Sequence, residues 1–225
     1  MPSLGAFYLF LLGFAAGVAL LTTTSYRRVS PRWLRWLLMI SGLLVMSRYV
    51  TLALFTATDA PRYFSALRPC WFATSFGLTF PSACALDQLL RHPAMTPKKL
   101  LVWFSPFLAV YGLMLLFAGV TLAPDRLMGW TLHLGTGWQI LLATTQGAFV
   151  LGFIGISLML MSKIPSTTIR LALLGLAAGQ AYLGLDGLLL ALGRWYFRPF
   201  LYSEMLMLLA LWHAFETSAR LQQGA

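Results

Sequence analysis

Seven long apolar stretches fill this chain, and the first three are echoed by the last three. Gly5-Ala6-Phe7 opens the first stretch and Gly147-Ala148-Phe149 recurs in the fifth. Laid without a gap on 147–170, the segment 5–28 places Leu9 on Leu151, Gly13 on Gly155 and Arg28 on Arg170. Arg62-Tyr63-Phe64 followed by Arg68-Pro69 resembles Arg194-Trp195-Tyr196-Phe197-Arg198-Pro199. Near the other end of the unit, Asp87 aligns with Glu216 and Arg91 with Arg220. A doubled three-helix unit restricts the architecture far more than it restricts the chemistry.

The stretches are long enough to cross a bilayer, which takes about 20 apolar residues per helix. They run over about 4–22, 34–56, 69–90, 99–122, 138–162, 171–193 and 197–216. Hydrophobic residues make up 59% of the chain and charged residues 10%, where a soluble domain carries roughly a quarter. The runs are continuous rather than alternating, so a transmembrane β-barrel is excluded. The expected fold is an all-α integral membrane protein of seven transmembrane helices, a single transmembrane domain over 1–225. Repeat A covers about 4–91, a linker helix about 99–122 and repeat B about 138–220. One linking span leaves both triplets in the same orientation, a parallel repeat.

Basic residues orient the bundle. The loops after spans 1, 3 and 5, with the tail, carry Arg27, Arg28, Arg32, Arg35, Arg91, Lys98, Lys99, Lys163, Arg170 and Arg220. The other side carries Arg62, Arg68, Arg126, Arg194 and Arg198. Ten against five predicts an N-terminus outside and a C-terminus in the cytoplasm of a bacterial-type inner membrane. The formal net charge of +10 is then mainly a topology signal that also anchors the chain to lipid head groups. No basic face or folded domain is left for nucleic acid. The first span lacks a basic flank before it and is expected to be retained. Cys70 and Cys84, placed on one helix about 21 Å apart, are too distant for a disulfide.

Small residues at four-residue spacing, Gly13 with Gly17 and Gly175 with Gly179, predict close helix contacts. Pro81 and Pro106 fall inside spans 3 and 4, where each frees a carbonyl and bends its helix.

Ionisable groups inside a span are costly and mark candidate sites. Arg48, Gln146, Asp186 and Glu204 come from four helices and share one depth, the outer third of the bilayer. Tyr182 precedes Asp186 by one turn on the same face. One arginine faces two acids, so one acid is in surplus. That acid either carries a proton, or meets a cationic ligand or ion, or is spare in a structural clamp. A second group, Asp87, His213 and Glu216, gathers at the inner end and reads as interfacial charge pairing rather than a metal site.

The expected functions divide accordingly. One is binding or permeation of a small ligand or ion at the outer polar layer. Another is a non-catalytic subunit of a larger membrane complex, packing other membrane subunits or pigments. A third is a seven-helix sensor module signalling through a partner chain. An enzyme is not expected, because no nucleophile–base pair, metal motif or phosphate loop occurs. No lysine inside a span offers a retinal Schiff base. No cofactor is specified.

Overall fold

The computed structural model describes residues 2–57, 65–90, 96–125, 129–192 and 201–223. Among these the chain is mostly helical. The helices are α1 (Pro2–Ser25), α2 (Arg32–Ala57), α3 (Arg68–Trp71), α4 (Ala73–Gly77), α5 (Thr79–Leu90), α6 (Pro97–Phe117), α7 (Thr136–Lys163), α8 (Thr167–Ala191) and α9 (Leu201–Gln223). Five of them, α1, α2, α6, α7 and α8, are long and apolar enough to cross a membrane. Helix α9 has the length, but Glu204, His213, Glu216 and Arg220 dilute its apolar character. The motif Arg62-Tyr63-Phe64, its counterpart at 194–199, Arg91 and Arg126 lie outside the described residues.

Two features depart from an all-α bundle of continuous spans. The first is a β-hairpin. Strands β1 (Val120–Asp125) and β2 (Gly129–Leu134) pair antiparallel, with Val120 opposite Leu134 and Pro124 opposite Trp130. Span 4 therefore ends at Phe117 rather than near 122. The β-branched pair Val120-Thr121 and the alternation through Thr131-Leu132-His133 favour a pleated strand over helix. The hairpin rests on α2. Gly129 has φ +72°, and a Cβ there would stand 2.6 Å from the Phe55 carbonyl oxygen, so only glycine fits.

The second departure is the third span, which is three short helices instead of one. Pro81 explains one break. Its missing N–H cannot bond Gly77, and its ring crowds that carbonyl, so the helix interrupts at Leu78. Gly77 itself lies on α2, where a Cβ would come within 2.5 Å of Val45 Cγ2. At the other break Ser75 N–H donates to Phe72 O, 3.1 Å, instead of reaching back to Trp71. Pro106 leaves its helix whole, because the Ser105 hydroxyl donates to the Val102 carbonyl, 2.7 Å, the group that the proline abandons.

Packing runs α9–α1–α2 on one side and α7–α8–α9 on the other, with α4 on α2, α5 on α9, and α6 beside α5 and α7. In lipid, apolar contact between helices contributes little, so close backbone approach and polar bridges carry more of the association. Gly179 provides such an approach: a Cβ would stand 3.2 Å from Met207 Cα. Gly13 and Gly17 do not, having nothing within 4 Å of a built Cβ. Their face of α1 carries exposed Phe10 and Phe14, so the small-residue spacing in the first span marks no helix contact among the described residues.

Candidate functional site

The broken third span is where the polar groups of the other helices converge. Arg48 of α2 is 5% exposed. Its Nε donates to Glu204 Oε1 of α9 at 3.0 Å, and its NH1 donates to the Trp71 carbonyl. That carbonyl is available because the helix breaks at Phe72. The guanidinium also lies over the Trp71 ring, 5.9 Å from its centroid, and Phe55 stacks on Trp71 at 4.9 Å. The sequence therefore supplies this arginine with a carboxylate, a carbonyl and a π face, which together answer the cost of a cation in hydrocarbon.

Glu204 is 1% exposed and only half satisfied. The side chains of Tyr49 and Thr74 lie against its carboxylate. Even so, Glu204 Oε2 and the Tyr49 hydroxyl make no hydrogen bond of regular geometry. The buried Tyr8 hydroxyl of α1 is also without a partner, and it lies within electrostatic reach of Arg48, Glu204 and Asp125 of the hairpin. One buried hydroxyl beside the ion pair, that of Tyr8, is thus open, and the Tyr49–Glu204 contact is poorly aligned. Neither tyrosine stood out in the sequence: an aromatic residue in a membrane span reads as packing unless its hydroxyl is seen.

The remaining residues of the expected layer are placed elsewhere. Gln146 of α7 donates to the Ser75 carbonyl, 3.1 Å. It borders a cleft of about 20 Å³ with Ser75, Thr79, Tyr111, Phe104 and Phe149, room for one water. Tyr111 donates to the Pro69 carbonyl, 3.2 Å, and Gln180 to Ser82 Oγ, 2.7 Å. Side chains from α2, α6, α7 and α8 therefore all bond to the third span, which is how irregular backbone is tolerated at membrane depth. Asp186 is 1% exposed and faces Ser203 of α9. The Ser203 hydroxyl is its hydrogen-bonding neighbour, though neither carboxyl oxygen makes a bond of regular geometry. Tyr182, half-buried, precedes it by one turn.

The inner residues also separate. Glu216 pairs with Arg28, Oε2 to NH1 at 2.7 Å. His213 is exposed on α9, and Asp87 is half-buried on α5 beside the buried Cys84. No group of metal-ligating side chains occurs among the described residues. Gln88 ties this end instead, donating to Ser30 O at 3.2 Å while its own carbonyl accepts from Ser218 Oγ at 3.1 Å. Comparison of the chain with protein-family models, curated proteins and solved structures finds no match.

Proposed function

We propose that this chain is a seven-span inner-membrane protein that binds or permeates a small ligand or ion at a polar site in the outer third of the bilayer. The observation that carries the reading is the open valence around the Arg48–Glu204 pair. A structural clamp would be complete in itself. Here the buried Tyr8 hydroxyl has no partner, and Glu204 Oε2 and the Tyr49 hydroxyl lie against one another without a hydrogen bond of regular geometry. A buried polar group left unsatisfied costs about 1–3 kcal/mol, and such a group beside a poorly aligned contact calls for a polar occupant. Broken helices that turn carbonyls and half-helix ends toward midplane sites are the usual construction of ion and substrate sites in transporters.

The seven-span count and the parallel repeat belong to the same proposal. The turns after α1 and after α7 use one device. Arg35 Nε donates to Val29 O at 3.1 Å, and Arg170 Nε donates to Ile164 O at 2.5 Å. Each arginine reaches back six residues, to Val29 after the 3-10 turn Tyr26–Arg28 that follows α1 and to Ile164 directly after α7. The ten-to-five distribution of basic residues supports an outside N-terminus and a cytoplasmic C-terminus.

Thermal unfolding of the purified chain in detergent, against a panel of monovalent ions and small polar solutes, tests the function. The site predicts a saturable rise in Tm with at least one solute, abolished in Tyr49→Phe. If no solute stabilises and the chain purifies with stoichiometric partner subunits, the complex-subunit reading replaces this one.

A further inference from the structure

Away from the Arg48–Glu204 pair, a cleft lies where α6 and α7 meet the third span. Three of its walls are aromatic rings, Phe104 and Phe107 of α6 and Phe149 of α7. Phe149 meets the other two edge-on, with centroids 6.0 and 5.3 Å away. The rings therefore form a corner rather than a closed stack. A further ring packs against such a corner at centroid distances of about 4.5–7 Å. The closed end has room for one water. Counting its mouth, the unfilled space is about 320 Å³, near the lower limit of roughly 300 Å³ for small-molecule sites. Val110 of α6 and Leu142 of α7 line the cleft and are half-buried, so the mouth opens between these helices toward lipid.

Hydrogen bonding around the cleft is one-sided. The Thr79 hydroxyl donates to the Ser75 carbonyl at 2.5 Å, Thr145 to the Leu141 carbonyl at 2.7 Å and Tyr111 to the Pro69 carbonyl at 3.2 Å. Gln146 turns its amide nitrogen to the Ser75 carbonyl, which leaves its Oε1 as an acceptor at the cleft. Aromatic walls with a few placed polar groups are the usual lining of a ligand site, and these polar groups ask for a donor. The wall is also able to part. Helix α6 buries only Phe104, Tyr111 and Met114, and the first two line the cleft. The cleft itself thus supplies most of what holds α6, and a ring that fills it replaces the contacts it parts.

We infer that the cleft between α6, α7 and the third span binds a small aromatic molecule with one O–H donor, a phenol taken up from the lipid. Its ring packs into the corner of Phe104, Phe107 and Phe149, and its hydroxyl donates to Gln146 Oε1. This site is distinct from the one at Arg48–Glu204 and does not require that one to bind anything.

Equilibrium dialysis of radiolabelled p-cresol and p-xylene against the full chain in lipid nanodiscs tests this, with empty nanodiscs giving the uptake by lipid alone. The two probes have nearly the same shape, and a methyl in p-xylene stands where p-cresol has its hydroxyl. The expected result is a saturable component for p-cresol. At equal concentration in the lipid, p-cresol should bind about fivefold more tightly than p-xylene, the worth of one hydrogen bond. Gln146→Leu should bring p-cresol down to the level of p-xylene. Val110→Trp, which fills the mouth, should abolish saturable binding of both. Tyr8→Phe, at the other site, should leave p-cresol binding at the wild-type level. Uptake of p-cresol no greater than by empty nanodiscs, or equal affinity for the two probes, would overturn the inference on the wild-type chain alone, whether or not a variant folds. A preference that survives Gln146→Leu, binding that survives Val110→Trp, or loss of p-cresol in Tyr8→Phe would overturn it too, by placing the phenol elsewhere.

Discussion

Arg48 donates to the backbone carbonyl of Trp71 at the point where the third span loses its helical bonding. A buried charge and a broken helix thereby stabilise one another. The guanidinium gains an acceptor that an intact helix would withhold, and the break gains a donor that lipid would not supply. The same arginine holds Glu204, so α2, α3 and α9 are tied at one atom cluster.

Removing either half of this pair leaves the other uncompensated. Arg48→Ala should destabilise the bundle by about 3–5 kcal/mol. Adding Glu204→Gln should recover part of that loss, since the orphaned acid becomes neutral. A double-mutant cycle in reversible detergent unfolding measures the coupling, and additive losses would mean that the two residues do not interact.

The two tyrosines separate stability from function. If the Tyr8 and Tyr49 hydroxyls are open in the empty protein, Tyr8→Phe and Tyr49→Phe should be neutral or stabilising, by up to ~1 kcal/mol. The same changes should weaken any solute-dependent rise in Tm. Destabilisation of the solute-free protein by both variants would show that the hydroxyls are already bonded.

Glycines facing helices and glycines facing lipid should respond differently. Gly179→Val drives a side chain into Met207, whose Cα would lie 3.2 Å from the new Cβ, and should cost roughly 1–3 kcal/mol. Gly17→Val meets nothing within 4 Å and should stay within about 0.5 kcal/mol of wild type. Equal losses in Tm for the two variants would refute the packing assigned to α1.

Tyr111→Phe and Gln146→Leu each remove a donor from a carbonyl of the third span. Tyr111→Phe should cost about 1 kcal/mol. Gln146→Leu should cost less, because the Ser75 carbonyl also accepts from the Thr79 hydroxyl at 2.5 Å. Amide exchange is the readout, with faster exchange expected at α3 and the Phe72 break in Tyr111→Phe and within α4 in Gln146→Leu.

The sequence carried the long helices well, because continuous apolarity over twenty residues has few alternatives in lipid. Expected limits of 34–56 and 138–162 compare with Arg32–Ala57 and Thr136–Lys163. It carried the third span badly. Pro81 announced a bend, but the second break, at Phe72, has no local signal and is held by Arg48 from another helix. Common depth placed Arg48, Gln146, Asp186 and Glu204 in one layer, yet depth does not fix rotation about a helix axis. Gln146 therefore turns to Ser75 and Asp186 to Ser203, while Arg48 meets Glu204. Tyr8 and Tyr49 were illegible because an apolar ring and a site hydroxyl occupy the same letter. The hairpin was hidden by its short strands between long apolar runs.

The most direct test is an experimental density map of the outer layer at a resolution that shows ordered water. An occupant should lie about 2.7–3.2 Å from Glu204 Oε2 and from at least one of the Tyr8 and Tyr49 hydroxyls, and it should be lost in Glu204→Gln. A dry site, with Glu204 and both hydroxyls satisfied within the chain, would contradict a binding role and leave Arg48–Glu204 as a clamp.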